Sequence, residues 1–244
     1  VYDESPYHGG PVGPYRQSER YDQFNRALDQ LNHLGLLYPC WCSRKEVREA
    51  AIAPHASDEG PVYAGTCRPP NMTVLPHLNA LEERVGRRPA LRINVEEAMA
   101  RLGAQNIHFT DAIAGEQSFD IVNEMGDFVV RRVDGIAAYQ VACAWDDAAM
   151  GCTDVVRGRD LLPSTARQLL ILQLLKQPIP LYAHTGLVTN MDGRRLAKRD
   201  NVTAIEDMRN RGLTANSVIR TLAKLSNLPD TANLDLLVDA FEHD

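Results

Sequence analysis

Residues 127–168 constrain the fold more than any other stretch, because their apolar residues switch between a period of two and a helical period. Phe128 to Val133 reads as a strand, Asp134-Gly135 as a tight turn, and the segment carrying Tyr139 as a helix. Thr153 to Arg157 reads as a second strand and Ser164 as the opening of another helix. Strands alternating with helices predict an α/β fold on a parallel sheet. In such sheets ligands collect beyond the carboxyl ends of the strands. Arg157 is the last residue of its strand and Gly158 follows at once, so a guanidinium stands where an anion would arrive. The next helix, Thr165 to Leu175, is apolar on nearly every side and suits burial against the sheet.

A second basic element, Asp192 through Arg199, follows an apolar segment, Leu187-Val188-Thr189, that reads as another strand. By itself it is a turn with solvated charges. Toward the amino terminus, residues 1–18 are rich in Gly, Pro, Tyr and Ser and read as irregular. Ser18 is an N-cap for a helix with Tyr21, Phe24, Leu28, Leu31 and Leu34 on one face, stopped by Gly35. Ser43 and Glu46 form a capping box for a helix to about Ala53, which Pro54 ends. Leu91, Ile93 and Val95 alternate with polar residues, as do Ile107 and Phe109, so residues 90–125 predict a small antiparallel sheet within an insertion over 36–125. After residue 200 the pattern is helical. Thr203 and Glu206 make a capping box, Gly212 a stop, and Thr214 a cap for a helix with Val218, Leu222 and Leu225 on one face, followed by a short acidic tail.

Composition matters mainly for what it excludes. A formal net charge of -6 argues against a surface that grips nucleic acid all over. Local patches remain at Arg87-Arg88, Arg131-Arg132 and Arg194 to Arg199. No apolar run reaches the length of a membrane span and no signal peptide is visible, which predicts a cytoplasmic protein without a membrane partner. Five cysteines make a disulfide framework an unsuitable reading. Cys40 and Cys42 lie two apart and Cys67 follows. Zinc takes four ligands in a tetrahedron and favours thiolates, so three thiols leave one position for His55, His77 or Tyr63. The alternative is three unrelated buried cysteines.

Taken together, the Val155-Val156-Arg157-Gly158 strand end and the Arg195-Leu196-Ala197-Lys198-Arg199 loop resemble the second half of a class I aminoacyl-tRNA synthetase nucleotide-binding domain, of the glutamyl branch. There the loop is of the K-M-S-K-S type; here arginine stands at its first lysine and alanine at its serine. Arg157 to Thr165 is similar to the RGxDLLxST pattern of glutamyl-queuosine tRNA(Asp) synthetases, and Cys40-Trp41-Cys42 with Tyr63 to Cys67 matches the C-x-C and Y-x-x-x-C pairs of their zinc-binding subdomain.

The resemblance implies a structural Zn2+ on Cys40, Cys42, Tyr63 and Cys67, glutamate held by Tyr139 and Arg157, and ATP with Mg2+ contacted by a catalytic Lys198. It implies a monomeric ligase that activates glutamate as glutamyl-adenylate and transfers it to queuosine in tRNA(Asp). The alternatives are a catalytic-domain fragment of a glutamyl-tRNA synthetase charging tRNA(Glu), and an inactive synthetase-like RNA-binding protein. The implied plan is the end of a first Rossmann half and a connecting helix over 1–35, a zinc-binding α+β insertion over 36–125, a second Rossmann half over 126–200 and a helical stem-contact region over 201–244. The chain begins with Val1, and the family's earlier segment with its H-I-G-H type signature is not matched, so a fragment unable to activate glutamate alone is expected. Asp146 and Asp147, adjacent on a helix, point about a hundred degrees apart and are read as structural.

Overall fold

Helix α1 (Tyr21–His33) forms because Phe24, Ala27, Leu28 and Leu31 recur on one face, which is buried. Its start is set differently from the Ser18 expectation: residues 17–19 make a 3-10 turn and Arg20 occupies the cap position. Arg20 is buried because its Nε meets Asp146 Oδ1 at 2.6 Å and its Nη1 donates to the Pro14 carbonyl. Tyr21, expected on the apolar face, is exposed. Gly35, with a φ of +70°, turns the chain out of the helix.

The computed structural model describes residues 4–50, 62–78, 81, 84, 86–189 and 204–242. After α1 come β1 (Leu37–Cys40), α2 (Arg44–Glu49), β2 (Ala90–Ile93), α3 (Val95–Leu102), β3 (Ile107–Asp111), β4 (Gly115–Phe119), α4 (Ile121–Glu124) and β5 (Val129–Arg131). Then follow α5 (Tyr139–Ala149), β6 (Asp154–Gly158), α6 (Leu162–Leu174), β7 (Leu181–Thr185), α7 (Ile205–Asn210), α8 (Ala215–Leu225) and α9 (Leu234–Glu242).

Two sheets divide the strands. One is antiparallel, in the order β1-β2-β5; the other is mixed, in the order β4-β3-β7-β6, with β3-β7-β6 parallel and β4 an antiparallel edge. The α/β expectation therefore holds, but strand membership differs from the sequence reading. The strand expected at 128–133 joins the antiparallel sheet rather than the parallel one. Residues 90–125 do not form one antiparallel sheet: β2 pairs with β1 and β5, whereas β3 and β4 belong to the mixed sheet. Val95 leaves the strand altogether, because Asn94 accepts the Glu97 N–H and caps α3. Alternation records which face of a strand is buried, not which strand lies beside it.

Helix α6 is buried on nearly every side, with Leu169, Leu170, Ile171 and Leu172 at 1% exposure or less. Its residues join those of α1, α3 and α5, and of strands from both sheets, in one core. Strand β7 ends at Thr185, so Leu187 and Val188 lie beyond it and are exposed. The described residues up to Gly186 form one compact unit and those from Leu187 a second. In the second, Thr214 caps α8 by accepting the Ser217 N–H, as expected. The Leu222 and Leu225 face of α8 is exposed rather than buried, and the segment read as an acidic tail forms α9. Thr203 lies outside the described residues; Asp207, rather than Glu206, accepts the Ala204 N–H at the start of α7.

Candidate functional site

The parallel register sets Arg157 of β6 beside His184 of β7. Arg157 Nε donates to His184 Nε2 at 3.2 Å, and its Nη2 donates to Thr165 Oγ1 at 2.5 Å and Gln168 Oε1 at 2.8 Å. Arginine nitrogens only donate, so His184 Nε2 is the accepting nitrogen and the ring proton sits on Nδ1. That Nδ1 lies 2.5 Å from Asp111 Oδ2, with both side chains fully buried. Asp111 Oδ1 also accepts the backbone N–H groups of Ile113, Ala114 and His184. Burial pushes the Asp111 carboxyl up, but these hydrogen bonds outweigh it and hold the group at about 2. The result is a continuous chain from buried carboxylate through imidazole to guanidinium.

Tyr139 begins α5 and is half-exposed. Burial raises its hydroxyl above the usual phenol range, while Arg157 and a hydrogen bond with Gln168 pull it down. The two residues expected at a glutamate site therefore share one neighbourhood, with Gln168 between them; Gln168 Nε2 is tied to Gln140 Oε1 at 3.1 Å. The Nε and Nη2 edge of Arg157 is turned to protein acceptors. Asp146 turns to Arg20, whereas the Asp147 carboxylate lies 3.8 Å from the Cys143 thiol. Burial raises the Asp147 carboxyl, and the Arg157 charge opposes that rise. Lys198 and its loop lie outside the described residues.

The second constellation is the cysteine cluster. The sulfurs of Cys40, Cys42 and Cys67 all lie within 4.8 Å of one another, Cys42 and Cys67 being 3.5 Å apart. Tyr63 Oη is 3.3 Å from Cys40 Sγ and 3.6 Å from Cys42 Sγ, and it accepts the Cys67 N–H at 2.8 Å. A zinc ion with ordinary bond lengths needs tetrahedral edges of about 3.8 Å between sulfurs and about 3.5 Å between sulfur and oxygen. The distances within this group are compatible with such an ion. His77 is exposed and outside this cluster, and His55 lies outside the described residues.

Burial pushes the Cys42 thiol up to about 11 and raises the Tyr63 phenol strongly. Cys67 is lowered, because hydrogen bonds from Tyr63 and the Trp41 backbone outweigh its burial. Arg92, 9% exposed, lies over the cluster, with its guanidinium carbon 3.8 Å from the Tyr63 ring centre and its Nε 3.4 Å from Cys40 Sγ. A cavity of about 630 Å³ opens alongside. Arg44, Arg48, Arg132 and Arg167 line it together with the acidic Glu124 and Asp127.

Sequence reasoning missed Asp111, His184, Gln168 and Arg92. A signal existed for Arg92, an arginine between two buried apolar positions of a strand, but alternation alone does not separate such a residue from a solvated one. Asp111 and His184 lie 73 residues apart and meet only through strand pairing.

This arrangement of parallel strands and crossover helices, with a positioned arginine at the carboxyl end of β6, is a class I synthetase catalytic core. The chain belongs to the family described as "tRNA synthetases class I (E and Q), catalytic domain", which matches residues 4–234. It is 44% identical over 230 residues to a glutamyl-Q tRNA(Asp) synthetase of Symbiobacterium thermophilum, covering 94% of this chain and 68% of that protein. It is similar at the same identity and coverage to one of Nitratidesulfovibrio vulgaris. A protein named glutamate–tRNA ligase 2 from Alkalilimnicola ehrlichii is 39% identical over 257 residues, covering 100% of this chain and 50% of the relative. The fold matches the crystal structure of a glutamate-tRNA synthetase from Elizabethkingia anophelis with a TM-score of 0.70 at 24% identity, over 98% of this chain and 52% of that one. The chain thus spans about two thirds of the first relatives and about half of the others. Among the described residues no helix is long and apolar enough to cross a membrane.

Proposed function

We propose that this chain carries the catalytic core of a glutamyl-queuosine tRNA(Asp) synthetase, which activates glutamate with ATP and transfers it to queuosine in tRNA(Asp). The observation that carries the reading is the guanidinium of Arg157, fixed at the end of a parallel strand next to Tyr139 in a family of E and Q synthetases. The names of the 44% identical relatives support the queuosine branch, as does the four-donor set of Cys40, Cys42, Tyr63 and Cys67.

In this reading Arg157 and Tyr139 bind a carboxylate of glutamate. Nε and Nη2 of Arg157 are committed to His184, Thr165 and Gln168, so the guanidinium is locked in place and meets substrate through Nη1. Attack of the other carboxylate on the α-phosphorus of ATP expels pyrophosphate, and Lys198 with Mg2+ stabilises the charge on the leaving oxygens. Rate then comes from positioning and electrostatics. Zinc on the cysteine cluster has a structural part, because a full tetrahedron leaves no open position for substrate. The arginines lining the neighbouring cavity suit a polyanionic partner such as tRNA.

The test is glutamate-dependent exchange of pyrophosphate into ATP by the full-length protein, followed by transfer of labelled glutamate. Exchange without tRNA and labelling of queuosine-bearing tRNA(Asp) support the proposal. Exchange that appears only with tRNA(Glu), which is then charged, replaces it with the glutamyl-tRNA synthetase reading. Binding of tRNA without any exchange replaces it with an inactive RNA-binding protein.

A further inference from the structure

The cluster of Cys40, Cys42, Tyr63 and Cys67 poses an electrostatic problem. Zinc with three thiolates and a phenolate carries two negative charges in excess, in a site where Cys40 and Tyr63 are 2% and 5% exposed. A compensating cation has to stand close by.

Arg92 meets that need. It lies on β2, the middle strand of the antiparallel sheet, opposite Tyr38 of β1 and Val129 of β5. Its Nη1 donates to the Asp127 carbonyl at 2.7 Å, which fixes the guanidinium plane. It also contacts two of the four donors, the Cys40 sulfur and the face of the Tyr63 ring. Those bonds run to a carbonyl and a sulfur rather than to a carboxylate. The nearby Asp127 carboxylate is engaged by Arg68 Nε at 2.7 Å, the Tyr38 hydroxyl at 2.5 Å and the Val95 N–H at 2.8 Å. A buried guanidinium needs an anion, and the ionised cluster is one.

We infer that Arg92 is a positioning residue of the metal centre, whose guanidinium stacks on the Tyr63 ring and donates to Cys40 Sγ, holding these two donors in place and offsetting the negative charge of the ligand set. The inference rests on the zinc reading above. Arginine suits the task better than lysine, because a planar cation can stack on a ring and donate to sulfur at its edge at the same time. The Cys67 N–H, 2.8 Å from Tyr63 Oη, helps to fix the same oxygen.

The test measures zinc content and zinc affinity, by competition with a chromophoric chelator, in the intact protein and in R92M, R92K, Y63F and the doubles R92M/Y63F and R92K/Y63F. Circular dichroism establishes which variants fold, and Co2+ replaces zinc to report the ligand set by its absorption bands. The expected result is one zinc per wild-type chain, an affinity about 10–100-fold lower in R92M, as for partners of metal ligands elsewhere, and a smaller loss in R92K. In the Y63F background the Arg92 substitution should cost clearly less, because the oxygen donor that Arg92 positions is gone. If R92M does not fold, the R92K pair supplies the same comparison. Wild-type protein that binds no zinc overturns the zinc reading itself. Wild-type protein that binds zinc, with unchanged affinity in the Arg92 variants or an equal loss in both backgrounds, overturns the part assigned to Arg92 and leaves the zinc reading standing.

Discussion

The Arg157 site and the cysteine cluster are both built from buried ionisable groups, yet they balance their charges in opposite ways. At Arg157 the balance is internal: the Asp111 carboxylate, His184 imidazole and Arg157 guanidinium form one hydrogen-bonded chain of alternating donors and acceptors. In the cysteine cluster the donors face one another, and only protons or a cation can keep three sulfurs and an oxygen this close. The first is organised by the protein alone. Under the zinc reading the second depends on an ion, with Arg92 as the protein's own contribution.

The sharpest way to break the contrast is to remove the ion. Under the zinc reading, a strong chelator or C40S should lower the melting temperature by about 2–4 °C for each kcal/mol lost, and several kcal/mol are at stake. The same treatment should leave the Arg157 network intact, as read by the ring nitrogen resonances of His184. A thermal melt unchanged by chelator, with no zinc in the untreated protein, would sink the ion-dependent half of the comparison.

Next in size is D111N, which attacks the other half. Asparagine keeps Oδ1 for the three backbone N–H groups but puts an NH2 donor opposite His184 Nδ1. The imidazole must then move its proton to Nε2, where it opposes the Arg157 Nε–H donor. Leaving such a buried donor unmatched costs about 2 kcal/mol, roughly a thirtyfold rise in the glutamate KM of the full-length enzyme. A KM within a factor of two of wild type, in a folded variant with the flipped tautomer, would show that Arg157 does not depend on this chain.

How much of this was legible follows from range in sequence. The helical faces of α1 and α6, the capping box of Ser43 and Glu46 and the Thr214 cap are local patterns, and residues within a few positions determine them. Cys40, Cys42 and Cys67 were legible as a ligand-like spacing, and Tyr63, among the candidates for the fourth position, only through the family resemblance. Arg157 was legible because it stands near the carboxyl end of a strand. The assignment of β5 to the antiparallel sheet and the meeting of Asp111 with His184 were not, since both depend on which strands become neighbours. Arg92 was misjudged for a different reason: a polar residue in an alternating strand reads as solvated unless its partner is already known.

A smaller effect comes from acid. The Asp111 carboxyl is held at about 2 in the folded chain, below its ordinary 3.8. A depressed carboxylate contributes stability above the ordinary value and loses it as pH falls toward the folded one. Wild type should therefore lose its advantage over D111N between about pH 4 and pH 2, and urea unfolding at pH 5 and pH 3 measures the narrowing gap. Acidic groups elsewhere titrate in both proteins and cancel. A gap that is constant or widens toward low pH would mean that Asp111 is not ionised in the folded chain.

The smallest expected effect lies beside the cysteine cluster and asks whether local structure, rather than the ion, holds it together. Ser43 follows Cys42 directly; its Oγ accepts the Glu46 N–H at 3.2 Å, and Glu46 Oε2 accepts the Ser43 N–H at 2.6 Å. Arg87 reaches the same carboxylate oxygen at 3.1 Å, so the cap also ties α2 to the chain just before β2. S43A removes one of these bonds and should cost about 1 kcal/mol of local helix stability. None of the residues of α2 is fully buried, and Val47 alone of them, partly buried, packs against Tyr38, Cys40 and Tyr63, so fraying of that helix drags little packing with it. Zinc affinity should then change by less than about threefold, because 1 kcal/mol of fraying couples only in part to ligands outside the helix. If S43A instead weakens zinc as much as R92M does, the cluster is organised by its capped helix, and the contrast between an ion-dependent and a self-sufficient site fails on the ion-dependent side.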